Sequence, residues 1–67
     1  IDMASELLRK NVKVYAQGGF AVGVCIADYR IDGARRMEVR THNAIAYIEN
    51  PGIIFVEDEV EFPKIED

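Results

Sequence analysis

Cys25 and His42 are the single cysteine and single histidine of this chain, and any nucleophilic or imidazole chemistry would have to start from them. A nucleophile needs a base within hydrogen-bond reach, and that base needs a third group to orient it. The sequence holds no Gly-x-Ser-x-Gly turn, no His-x-x-x-His pair and no second cysteine. Two ligands fall short of a closed zinc site, which takes four, and one cysteine forms no disulfide within the chain. Cys25 stands among small residues in an alternating segment, the setting of a buried structural thiol. His42 closes another alternating segment and reads as a surface or loop histidine, with pH sensing or base stacking as lesser readings. Glu57, Asp58, Glu59 and Glu61 supply the oxygens a hard divalent cation favours. Their run lacks the glycine punctuation of a calcium loop and reads as a solvated turn, its like charges discouraging pairing at a strand edge. The expectation from these residues is a protein that is not an enzyme, with no cofactor and no metal.

The basic residues suggest a different chemistry. Arg35, Arg36 and Arg40, with Lys10 and Lys13, are suited to phosphate contacts, and Tyr29 and Tyr15 offer surfaces on which bases stack. Arg35, Arg36, Arg40, Tyr29 and Lys13 are therefore the candidate RNA-binding set. The competing reading of the same residues is a solvated face that pairs with acidic groups of another copy. Charge is unevenly spread: residues 1–47 carry a net +2, and residues 48–67, with Lys64 against seven carboxylates, carry −6. An overall charge of −4 argues against an indiscriminate nucleic-acid binder, whose affinity comes from neutralising phosphates. A local basic face stays compatible with it, as does head-to-tail attraction between copies.

These side chains must be held by a small scaffold. With 67 residues the chain makes one domain, and a fold of this size buries only about 60% of the surface its unfolded chain exposes. Small domains offset such a deficit with disulfides, metals or self-association. Half the residues are hydrophobic, at 49%, and no low-complexity run signals disorder. No apolar stretch approaches the ~20 residues of a membrane span, and the Ile1-Asp2-Met3 start lacks a signal-peptide pattern. A lone free cysteine fits a reducing, cytoplasmic setting.

Residues 2–10 read as a short helix, with Asp2 as N-cap, Arg9 and Lys10 at the end that favours cations, and Met3, Leu7 and Leu8 as an apolar stripe. The period then changes to two. Val12, Val14 and Ala16 alternate with Lys13, Tyr15 and Gln17, and Gly18-Gly19 signals a hairpin. In the second strand Phe20, Val22, Val24 and Ile26 form the apolar face, and Ala21, Gly23, Cys25 and Ala27 form a small one. A mid-strand Gly23 calls for a bend or the close approach of another backbone. Asp32-Gly33 is the next turn pair, and Met37, Val39 and Thr41 alternate in a third strand. Residues 44–48 are apolar but poorly patterned, and Asn50-Pro51-Gly52 breaks them. Ile53 to Val56 suits a strand buried on both faces, and Val60-Glu61-Phe62 resumes alternation. The expected architecture is all-β: a helix over about 2–10 and a small, five-stranded, strongly bent barrel over about 12–63.

This layout resembles a known family. Val12-Lys13-Val14-Tyr15, Gly18-Gly19 and the segment Phe20 to Tyr29 with its mid-strand glycine look like the first block of the Sm-like (Lsm and Hfq) RNA-binding proteins. Gly52 to Phe62 resembles the second block. The resemblance covers about residues 5–62, and its outline is shared by SH3-like barrels. It implies base contacts in the loop after the second strand, here Asp28 to Ala34, and in the turn before the last strand, here Glu57 to Glu59. The first loop has no evident counterpart of the base-contacting Asn, and the second is Glu-Asp-Glu where the family commonly has a basic or Arg-Gly pair. Carboxylates repel phosphate, so Arg35, Arg36 and Arg40 are the better RNA candidates. The resemblance also implies homo-oligomeric rings in which the fourth strand of one copy pairs with the fifth of the next. Ile53, Phe55, Val60 and Phe62 would line that interface, with Phe55 and Phe62 as anchors. A ring-forming Sm-like protein that binds single-stranded RNA is thus the leading expectation, and an SH3-like assembly module without nucleic acid is the alternative.

Overall fold

The computed structural model describes residues 5–57. Five strands follow in order: β1 (Asn11–Ala16), β2 (Gly19–Ile31), β3 (Ala34–Arg40), β4 (Ile45–Glu49) and β5 (Ile54–Val56). They form one antiparallel sheet in the order β4-β3-β2-β1-β5. The expected all-β, five-stranded class is met. The Asp32-Gly33 pair makes the β2–β3 turn with both residues at positive φ, 52° and 80°, the geometry that matches strand twist in a two-residue hairpin. Residues 44–48, left unassigned by their pattern, resolve into β4, so the Ile53–Val56 run expected as the fourth strand, pairing with 60–62 of the next copy, is instead the fifth. Asn50 at φ 51° precedes the return of β5 along β1.

Val12, Val14, Cys25, Met37 and Val39 are fully buried, and Ile48 joins them. Gly23 is where two backbones meet: a Cβ there would overlap the carbonyl of Arg40, so the close approach expected of this glycine is present. Beyond it a bulge between Cys25 and Ala27 shifts the β2–β3 register, which bends the strand and changes which residues face inward.

Four expectations need correction. No helix forms among the described residues. Residues 6–9 make a turn in which the Lys10 amide donates to Leu7 at 3.0 Å, while Arg9, at φ 69°, donates its amide to Cys25. Hydrogen bonding to β2 thus draws the backbone out of a helical path. The sheet is also open rather than a closed, strongly bent barrel. Among the described residues β4 pairs only with β3 and β5 only with β1, and Leu7 and Leu8 pack against the core from the turn. Third, β2 is inverted: Ala21 and Cys25 face the core, and Phe20 and Val22 are exposed. Val12, Val14, Met37 and Val39 already fill the interior, which leaves space only for small side chains from β2. Fourth, the Ile53–Val56 run is an exposed sheet edge with Ile53 65% and Phe55 52% accessible, since nothing pairs with its outer side among the described residues.

Candidate functional site

A period of two continued from Cys25 would turn Asp28 outward. The bulge reverses this: Asp28 pairs with Met37 and comes to lie on the core face, only 6% accessible. A buried carboxylate requires partners, and Arg35 provides them. It sits two residues before Met37, on the same face. Its Nε donates to Asp28 Oδ1 at 2.9 Å and its Nη2 to Oδ2 at 2.8 Å, a bidentate fork. Ser5 Oγ donates to the same Oδ2 at 2.5 Å and accepts from the Leu7 amide. Arg35's hydrogen bonds hold the Asp28 carboxyl below its ordinary range against the opposing effect of burial, with Ser5 adding to the lowering. The same pairing raises the Arg35 guanidinium. Burial, and next the Asp28 charge, push the Cys25 thiol up, away from the thiolate that reacts. Asp28 is therefore a fixed anion that anchors the N-terminal turn to β2 and β3.

The structure distributes the sequence-predicted RNA residues over separate places. Arg35 is committed to Asp28. Arg36, opposite Tyr29 on β2 and Glu49 on β4, lies 3.7 Å from the Glu49 carboxylate in an exposed, loose pair. Arg40 is exposed at the far end of β3, opposite Val24 and Ile45. Lys13 belongs to β1. Tyr29 is half-buried beside a shallow cleft with Ser5, Asp28, Arg30 and Arg35. Of the predicted interface, Ile53 and Phe55 lie at the β5 edge, and Val60 and Phe62 fall outside the described residues. So do Asp58, Glu59 and Glu61. Among the described residues, no three His, Cys, Asp or Glu side chains gather as a metal site, and no helix is long and apolar enough to cross a membrane.

Sequence reasoning missed a cluster on the outward face. Directly opposed residues of antiparallel strands share a face, and the register places Phe55, Lys13 and Val22 in one row with Tyr15 and Phe20 beside them. The Tyr15 ring lies 5.6 Å from Phe20 and 6.0 Å from Phe55, centroid to centroid. Lys13 Nζ sits 4.6 Å from the Phe20 ring centre and 5.3 Å from that of Tyr15, within cation–π range. Val22 continues into a cleft of about 460 Å³ between β2 and the β3–β4 loop, lined also by Val24, Arg40, His42 and Glu57. The available signal was the pairing of a bulky β2 face with a glycine-bearing small one: close backbone approach at Gly23 implies that the small face packs inward.

No family model matches the chain, and no curated protein or solved structure matches it.

Proposed function

We propose that the protein is a non-catalytic, Sm-like assembly module that forms homo-oligomeric rings and binds single-stranded RNA. The observation that carries this reading is the strand order. It leaves β4 and β5 at opposite edges of one sheet, so a fourth-to-fifth-strand contact can run from copy to copy and close by rotation. Unpaired apolar edges are an aggregation hazard that native proteins cover, and here Ile53, Phe55 and Val56 are exposed along β5, with Tyr47 74% accessible on β4. Pairing in this way would complete between copies the barrel-like enclosure that a single sheet leaves open. It would also set Ile45 and Tyr47 beside the exposed side chains of β5 in the next subunit. Light scattering after size exclusion tests the reading. The expected result is a discrete oligomer at micromolar concentration that the Ile45→Lys/Tyr47→Lys variant dissociates with unchanged far-UV circular dichroism. A stable monomer at that concentration would overturn the assembly.

A further inference from the structure

We infer that the outward face of β5, β1 and β2 is the surface that takes single-stranded RNA, with bases on the Tyr15–Phe20–Phe55 cluster and phosphates between Lys13 and Arg40. This inference rests on the RNA reading above and relocates its site. Aromatic rings displayed on an open sheet face accept bases of any sequence by stacking. Phe20, at 61% accessible, and Phe55 expose ring surface on either side of Tyr15. The cations favour nucleic acid over a protein partner. Lys13 stands within the apolar patch, between Phe55 and Val22 with its ammonium over the Phe20 and Tyr15 rings, and Arg40 flanks the patch on a chain whose net charge is −4. Among the described residues neither forms an ion pair with a carboxylate. Arg35, by contrast, is committed to Asp28, and Arg36, in its loose, exposed pair with Glu49, lies opposite Tyr29 toward the other end of β2 from Phe20. His42 lines the same cleft as Arg40, and Glu57 is the carboxylate that opposes them there. From Phe20 to Val24 the strand rises about 13 Å at ~3.3 Å per residue, the length of about four nucleotides at the ~3.4 Å spacing of a stacked strand.

Fluorescence anisotropy of labelled oligo(U) and oligo(A) RNA with the full chain, at low salt, tests the inference. Phe20→Ala and Phe55→Ala, each at unchanged oligomeric mass by light scattering, should weaken binding by roughly 5-fold or more, the lower end of a stacking contribution. Lys13→Ala and Arg40→Ala should weaken it and each reduce the log–log salt slope by about 0.7. Glu57→Gln should tighten it, a gain that damage to the fold would not produce. Binding that survives all of these variants but is lost in Arg36→Ala would overturn the site and leave the RNA reading standing. No binding to either RNA at low salt would overturn both. If, in that case, Phe20→Ala also changed the oligomeric mass, the face would be a contact between copies.

Discussion

Replacing Asp28 with Asn tests the central electrostatic claim, because it keeps the side-chain shape and removes only the charge. Asp28 accepts two hydrogen bonds from Arg35 and one from Ser5. Breaking a fully buried pair by removing one partner costs about 3–5 kcal/mol. Arg35 retains 32% side-chain accessibility, so water rehydrates part of the released guanidinium, and we expect a loss of about 2 kcal/mol. Against the total of roughly 3–10 kcal/mol expected for this length at ~0.05–0.15 kcal/mol per residue, that is a large share. It corresponds to a fall in Tm of about 8–16 °C. The assay is urea unfolding at fixed protein concentration, followed by tyrosine fluorescence and circular dichroism, with Arg35→Ala and the double variant completing a cycle. A coupling of about 1 kcal/mol or more between the two positions is expected.

The pH dependence follows from the direction of the shift. Asp28 titrates lower in the folded chain than in the unfolded one, so its stabilisation is fully present above the ordinary carboxylate pKa of about 3.9. It is lost as pH falls through the lower, folded value. The D28N variant should therefore lose less stability than the native chain on acidification below about pH 4. Three results would each show that the pair does not stabilise the fold: a loss below about 0.5 kcal/mol for D28N, additive effects of D28N and Arg35→Ala, or acid limbs that run parallel for native and variant proteins.

Two further outcomes follow from the packing. Gly23→Ala forces a Cβ against the Arg40 carbonyl, so it should destabilise by about 2 kcal/mol or more in the same urea titration, while Gly18→Ala, whose Cβ meets nothing within 4 Å, should cost only the roughly 1 kcal/mol strain of its φ of 95°. Cys25 is buried with its thiol pushed toward the neutral form, so a thiol reagent should label it in urea and leave it nearly unmodified in the native state; rapid native labelling would show that the core opens there.

Alternation made the strands legible, yet alternation alone does not choose a face. Val12 and Val14 in β1 and Met37 and Val39 in β3 lie inward, each beside polar or charged neighbours that require this phase. In β2 both sets are apolar, so period two leaves its phase open, and side-chain size suggests the wrong choice. The phase is decided by volume that other strands have already filled: Val12 opposite Gly23 and Val14 opposite Ala21 match large against small across the ladder. The bulge after Cys25 was equally hidden, because no residue type marks it, and with it went the inward placement of Asp28 and the capture of Arg35. The candidate site follows from these two facts together. The core takes the small face of β2, so Phe20 and Val22 are displaced outward to join Tyr15, Phe55 and Lys13. The bulge ties up Arg35 and leaves Lys13 within that displaced apolar surface and Arg40 at its border. Any ligand surface on this sheet is thus a consequence of how the interior was filled.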